Sequence, residues 1–363
     1  MKKLNIAYTC NVRKSGMDDE RYSEFEDPET VASVLAALER MDANVELIDV
    51  ESDIYHQLEQ RKDRIDFVFN NAEGLEEQEL REAIVPFFCE HLGIPCTGSS
   101  PKTFINKMDK ATAKRIVAYD GVPTAKFQLM QPGDQLKLNE LTFPLMVKPY
   151  SEGTSIGINQ QSRVNSIAEL NAAIETIYIR FKQSALVEEF LPGREYTIGL
   201  IGNYVLPILE IDFSKIPGKP QVRDPYVKSI ENPFVTQLAW NDKAFGFAQI
   251  AIDAHEALEV RDYNRMDFRE RDDQLYFLEA NVIPGLHPTE ADLTNMCRYA
   301  NIAHNDMIAL IVQAALSRFL IRYPNRFEGK TEKIEELTAA AVDKARVAGM
   351  ITHHGRTYTF LGN

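Results

Sequence analysis

Arg265-Met266-Asp267-Phe268-Arg269, followed by Leu275-Tyr276-Phe277-Leu278-Glu279-Ala280-Asn281, carries the strongest chemical signal in this chain. Both runs alternate polar and apolar residues, the period of a strand, and Asp272 to Gln274 between them reads as a three-residue turn. That register sets Asp267 opposite Glu279 and Arg265 opposite Asn281 on one sheet face. Two facing carboxylates repel and weaken a bare sheet. A divalent cation removes the conflict, and an all-oxygen set of Asp, bridging Glu and Asn suits Mg²⁺ with waters and nucleotide phosphate as its remaining ligands. Taken alone, the same alternation equally describes a hairpin with its polar residues turned to water.

Working outward, Val147-Lys148-Pro149-Tyr150-Ser151-Glu152-Gly153-Thr154-Ser155-Ile156-Gly157 places a lysine at a strand end before a loop of glycines and hydroxyls. Backbone N–H groups and a cation there can face phosphate oxygens. The G-x-x-x-x-G-K spacing of a P-loop is absent, and without other nucleotide signals the segment reads as a flexible hairpin loop. Further on, Leu186-Val187-Glu188-Glu189-Phe190-Leu191 and then Gly193-Arg194-Glu195 form a strand that ends at a hinge. Acidic side chains at that point can accept from an adenine amino group and from ribose hydroxyls. Lys110, in Met108-Asp109-Lys110, is by itself an ordinary solvated helical lysine.

The rest of the chain supplies the frame. Its 363 residues are enough for two or three domains, and 44% hydrophobic with 26% charged residues excludes fibrous, low-complexity and disordered classes. A net charge of −14 without a basic run argues against a nucleic-acid partner. The apolar stretch Met307 to Ile321 is interrupted by Gln313, Ser317 and Arg318, short of the roughly 20 apolar residues of a membrane helix. No cleavable leader is expected after Lys2-Lys3, and Cys10, Cys89, Cys96 and Cys297 lack staple or C-x-x-C spacing, so a cytoplasmic setting with free thiols is expected.

Strand and helix signals alternate from Leu4 to Ser100, as in a doubly wound parallel sheet, with strands expected at Leu4 to Thr9, Val45 to Val50, Phe67 to Phe69 and Ile94 to Thr97. A small α+β lobe follows, ending at Leu191-Pro192-Gly193. The Pro- and Lys-bearing loop Lys215 to Pro233 is too long for a mere connection and reads as a lid. After Pro324 a polar helix, Glu332 to Arg346, and a short strand, Thr357 to Leu361, read as an arm. His353-His354, with no companion Cys, Asp or Glu at ligand spacing, reads as a turn and a poor metal site. His287 reads as a surface histidine close to the site, and Trp240 as packing.

Taken in order, these segments resemble the ATP-grasp superfamily, and within it the D-alanine–D-alanine ligase family. The likeness runs from Leu4 to about Arg322. It rests most on Leu92-Gly93-Ile94-Pro95-Cys96-Thr97-Gly98-Ser99, Met108-Asp109-Lys110, the Lys-Pro-x-x-Glu-Gly-Thr-Ser-Ile-Gly run from Lys148, and Leu278-Glu279-Ala280-Asn281 with Pro284-Gly285. It implies an α/β and α+β chain: an ATP-grasp fold behind an N-terminal doubly wound parallel-sheet domain at 1–105. A central ATP-grasp lobe at 106–192, a C-terminal lobe with the metal site at 193–323 and an extension at 324–363 complete it.

The resemblance further implies ATP and Mg²⁺ as cofactors, small amino-acid or amine substrates, an acyl-phosphate intermediate and a homodimer. Lys110 and Lys148 would hold ATP phosphates under the loop Glu152, Gly153, Thr154 and Ser155. Glu188 would face adenine, Leu191 would offer backbone to the ring, and Glu195 would bind ribose. Asp267, Glu279 and Asn281 match the magnesium ligands, and Arg265 with the Gly285 backbone N–H matches the oxyanion donors.

Departures from the family fall where the amino acids would sit. The carboxylate for the first substrate's ammonium group could be Glu20, Glu24 or Glu26. Glu73 stands where the family has a histidine. Thr154 takes the place of the loop hydroxyl, and the lid tyrosine it would touch is replaced by Ser229, after Lys228. Glu290 aligns with a serine that helps hold the second substrate's carboxylate. Either Glu290 lines the site and the acceptor is an amine or a cation, or it pairs with an arginine out of the site and leaves Lys228 to bind the carboxylate. A nucleotide-binding protein without ligase activity should show eroded metal ligands or a lost Arg265, and here all are present.

Overall fold

The computed structural model describes residues 2–14, 16–17, 22–51, 53–75, 80–153 and 155–362. Thr154 and Glu20 lie outside these residues. At the N-terminus the parallel strands β1 (Leu4–Cys10), β2 (Ala43–Asp49) and β3 (Phe67–Asn71) stand in the order β2-β1-β3. Alternation sends their side chains to two cores. Ile6 and Tyr8 pack with Val31, Val34 and Leu38 of helix Pro28–Glu39, which Asp27 caps, while Ala7 and Val68 pack with Leu58, Val85 and Cys89 from helices Ile54–Arg61 and Ile84–Leu92. This is a doubly wound sheet. The fourth strand expected at Ile94 to Thr97 shrinks to one parallel bridge between Val68 and Cys96. Pro95 has no N–H to give, and the Thr97 hydroxyl, not its backbone, accepts from Asn70 N at 2.9 Å.

In the central lobe β4 (Phe127–Met130), β5 (Leu145–Pro149), β6 (Arg163–Val164) and β7 (Ala185–Glu189) form an antiparallel sheet ordered β4-β7-β5-β6. Helix Ile167–Phe181 places Leu170, Ile174 and Ile177 on one face, and these complete its core. β7 is the shared wall that carries Glu188 toward the third lobe.

The third lobe is built on β8 (Glu195–Ile201), β9 (Tyr204–Val205), β10 (Leu209–Ile211), β11 (Val235–Gln237), β12 (Tyr263–Arg271) and β13 (Gln274–Asn281). β12 pairs with both β8 and β13. Its pairs include Asp267 with Glu279 and Arg265 with Asn281, as the alternation predicts. The turn differs: it has two residues, Asp272 and Asp273, both at positive φ, and Arg271 pairs with Gln274. A bulge between Asp267 and Phe268 that leaves Leu278 unpaired restores the missing residue, so the register at the acidic pair is unchanged.

The segment read as a lid loop is partly helical, with Pro225–Ile230 capped by Asp224, because Pro at the first helical position and Asp before it favour a helix start. The tail is not an arm. β14 (Val347–His353) and β15 (Arg356–Leu361) extend the same sheet through β9, burying Tyr358, Phe360 and Leu361, and helix Glu332–Lys344 packs on helix His304–Arg322. The four cysteines are free. No helix among the described residues is long and apolar enough to cross a membrane.

Candidate active site

Three charged side chains form the floor of the cleft between the central and third lobes. Lys148, from β5, and Lys114, from helix Lys110–Tyr119, close on Glu188 of β7 at 2.7 and 2.8 Å. All three are buried. Burial would raise the Glu188 carboxyl, but the two lysines outweigh it and bring it down to about 2. The void above, about 80 Å³, is bounded by Met146, Phe190, Leu191, Val222 and Leu278, with Glu188, Glu195 and Lys148 as polar points. Apolar faces with polar groups at one edge suit a flat heteroaromatic ring with an amino group. Glu195 lies 3.6 Å from Arg223 and 3.9 Å from Arg269.

The glycine loop lies across one end of this pocket. Lys110 Nζ donates to Glu152 O and stands 3.3 Å from Glu279. Gln183 holds the loop by accepting from Ser151 N and donating to Glu152 Oε1. Ser155, at positive φ, donates to Arg223 O at 3.1 Å. A Cβ on Gly153 would fall 2.1 Å from Glu24 Oε1, so glycine lets the loop meet the N-terminal lobe. Gln160 donates to Val222 O and Asp224 Oδ2. The loop and the lid therefore touch, and the arrangement is closed over the cleft.

Asp267, Glu279 and Asn281 converge at the hairpin end. Asp267 accepts from Thr197 Oγ1 at 2.9 Å, from Arg265, and from Asn281 Nδ2 at 3.4 Å. Burial pushes the Glu279 carboxyl up, yet Lys110, Lys148, Lys228 and Arg265 together hold it at about 2. Two carboxylates and an amide on facing strands are a hard oxygen donor set, and they fit Mg²⁺. Arg265 also lies 3.9 Å from Asp292, and its buried Nε has no hydrogen-bond acceptor among the described residues.

Beyond the hairpin a cavity of about 660 Å³ lies between the N-terminal lobe and the third lobe. Glu73, Ser229, Arg265, Asn281, Gly285 and Glu290 all line it, with Glu24 and Glu26 from the N-terminal side. Lys228 lines both this cavity and the void above Glu188. It has no ion pair or hydrogen bond among the described residues, and burial, then Arg223 and Arg265, lower its ammonium pKa. Ser229 donates to Tyr226 O at 2.7 Å, its own helix. Glu73 lies 3.2 Å from Arg81, which also takes Glu24 at 2.8 Å. Glu290 makes no ion pair among the described residues. Among the described lining residues eight Asp and Glu side chains stand with five Lys and Arg.

Sequence reasoning missed Lys114, Arg223, Arg269 and Asp292. Lys114 had a signal, since it stands four residues after Lys110 on one helix face. Arg223 had none: it pairs with Glu231, Asp292 and Glu195, residues that only folding brings to it.

The family model for the C-terminal part of D-alanine–D-alanine ligases matches residues 116–313, more than half of the chain. The chain belongs to the D-alanine–D-alanine ligase family. The uncharacterized protein y4sG of Sinorhizobium fredii is 33% identical over 258 residues, 69% of this chain and 75% of that protein. The D-alanine–D-alanine ligase of Pelotomaculum thermopropionicum is 28% identical over 289 residues, 76% of this chain and 87% of its own length. The D-alanine–D-alanine ligase of Bacillus anthracis, solved in complex with ATP, superposes with a TM-score of 0.67 over 87% of this chain and 98% of that one, at 21% identity. The fold is the ATP-grasp fold. As a D-alanine–D-alanine ligase-like protein, the chain is an ADP-forming ATP-grasp ligase of the kind that makes carbon–nitrogen bonds.

Proposed function

We propose that this ligase joins a carboxylate to an amine through an acyl phosphate, and that its acceptor presents an amine or cationic group to Glu290 in place of a carboxylate. One observation carries the acceptor reading: the Glu290 side chain lines the cavity with no arginine paired to it among the described residues. A substrate carboxylate there would meet a like charge, which disfavours that pose.

The residues suit the two chemical steps. Hydroxide is a poor leaving group at neutral pH, so a donor carboxylate oxygen attacks the γ-phosphorus of ATP, the bond to the β-phosphate oxygen breaks, and ADP departs. Lys110, Lys148 and Lys228 present positive charge where the triphosphate would lie. Asp267, Glu279 and Asn281 would hold Mg²⁺, which supplies further positive charge against the phosphates. The acceptor amine then attacks the acyl carbon and gives up a proton. The tetrahedral oxyanion has Arg265 and the Gly285 N–H as donors, and it collapses with loss of phosphate. Acyl phosphates hydrolyse readily, so the contact of Ser155 with Arg223 matters: it closes the lid against water.

A screen of amino acids and amines that reads ADP release tests this. Turnover with a donor acid and an amine or dibasic acceptor, exceeding that with D-alanine, is the expected result. Robust turnover with D-alanine alone would establish the other reading, a D-alanine–D-alanine ligase of cell-wall synthesis. The resemblance also implies a homodimer, which sedimentation of the purified chain tests.

A further inference from the structure

The C-terminal hairpin brings together side chains that chain order keeps apart. β14 ends at His353, and the turn holds His354, at φ +44°, before Gly355. In the sequence these histidines lack companion ligands. Folding supplies two, Asp253 and Glu256, from the last turns of helix Asp242–Ala257. Glu256 Oε2 lies 2.8 Å from His354 Nδ1 and 3.4 Å from His353 Nε2, and Asp253 Oδ1 lies 3.1 Å from His353 Nε2. Among the described residues, Glu256, His353 and His354 form the one group of three His, Cys, Asp or Glu side chains whose ligand atoms fall within 4.8 Å of one another.

The spacing suits a cation. Ligand atoms about 2.0–2.1 Å from a tetrahedral ion stand roughly 3.3 Å apart, close to the separations here. Two imidazoles share one carboxylate oxygen while their ring centroids are 4.0 Å apart. Each imidazole has a ring nitrogen that can turn a lone pair to a metal at that oxygen. The ligands are also braced from behind. The Tyr358 hydroxyl donates to Glu256 Oε1 at 2.9 Å, and the Gln249 amide stands 3.2 Å from His353 Nδ1, the nitrogen facing away from Glu256. Tyr358 fixes the Glu256 carboxylate, and binding through His353 Nε2 would turn the Gln249 amide so that its oxygen accepts from Nδ1–H. The His354 side chain is 77% exposed, which leaves a path for an ion and its water.

We propose that Glu256, His353 and His354, with Asp253 beside them, bind a late first-row divalent cation such as Zn²⁺. Two imidazole nitrogens with carboxylate oxygens favour that class over Mg²⁺ or Ca²⁺. The ion would pin the terminal hairpin to helix Asp242–Ala257, and through β15, β9 and β8 to the strand that bears Asp267. This site is separate from the ligase cleft and does not depend on the substrate reading.

The test uses the full chain freed of metal by chelator dialysis and titrated with Co²⁺ or Zn²⁺. The wild type should take up one more equivalent than the His353→Ala/His354→Ala variant. It should also show the strong visible absorption of tetrahedral Co²⁺, which six-coordinate oxygen sites lack. Zn²⁺ should raise Tm more for the wild type than for the variant. Glu256→Gln keeps an acceptor for Tyr358 but removes a charged ligand, and should lose most of the absorption. Equal uptake and identical spectra in folded wild type and variants, judged by circular dichroism, would overturn the site.

Discussion

The ammonium of Lys114 lies 2.8 Å from the carboxylate of Glu188, and the lysine is fully buried beneath the cleft between the central and third lobes. Lys114 also donates to Thr124 Oγ1 at 2.8 Å and to Phe277 O at 3.4 Å, so it ties β7 to the hairpin of the third lobe. It therefore sets where Glu188 stands in the cleft.

Removing one member of a buried ion pair leaves an uncompensated charge and is strongly destabilising. Lys114→Met should lower stability by about 3 kcal/mol, the low end of the usual range because Lys148 still faces Glu188. Urea unfolding measures this, and a shift under about 1 kcal/mol would show that the pair contributes little. The KM for ATP should rise with little change in kcat.

Asp267 and Glu279 oppose each other across β12 and β13. Asp267→Asn keeps the size and the Thr197 hydrogen bond but removes a charge. The Mg²⁺ concentration giving half-maximal ATP turnover should rise roughly 10–100-fold. An unchanged Mg²⁺ dependence would count against the metal assignment.

Arg265 is held by Asp267, and its buried Nε makes no hydrogen bond among the described residues. A donor aimed at a developing oxyanion acts in the transition state, so Arg265→Met should reduce kcat by about 10²–10³-fold with the KM for ATP little altered. Steady-state ADP release reads both constants.

Glu290→Ser should move acceptor preference toward amino acids bound by their carboxylate. Relieving a like-charge contact worth a little over 1.4 kcal/mol would raise kcat/KM for D-alanine at least about tenfold. No gain would mean that Glu290 does not govern the acceptor.

Glu26 is half-buried beside Asn71, and desolvation lifts its carboxyl to about 7 despite that hydrogen bond. In the unfolded chain a glutamate titrates near about 4.3. Between these values the unfolded state releases its proton while the folded state keeps it, so this group lowers stability as pH rises, by at most about 1.4 kcal/mol per unit. Below about 4.3 and above about 7 its contribution is flat. Glu26→Gln should match the wild type in Tm at pH 4 and exceed it at pH 8.

The hairpin shows how far local pattern reaches. Period-two alternation alone placed Asp267 against Glu279, although the turn proved one residue shorter and a bulge at Leu278 made up the difference. The N-terminal sheet was readable for a similar reason, since helix and strand periods differ along the chain. The fourth strand failed because Pro95 and the Thr97 hydroxyl replaced ladder bonds, a detail settled by what lies opposite.

By itself, then, the sequence determined the order of elements, the acidic pair of the hairpin, the lysine and glycine loop, and the family. These depend on spacing along the chain, which side-chain period and turn chemistry make legible. Tertiary structure alone decided which charges are paired. It buried Lys114 against Glu188, gave Arg223 its three carboxylates, left Lys228 and Glu290 on the cavity wall without an ion pair among the described residues, and brought Glu256 to His353 and His354. Coulomb energies fall with distance through space and not with separation in sequence, so the electrostatics of the site appear only once the lobes have closed.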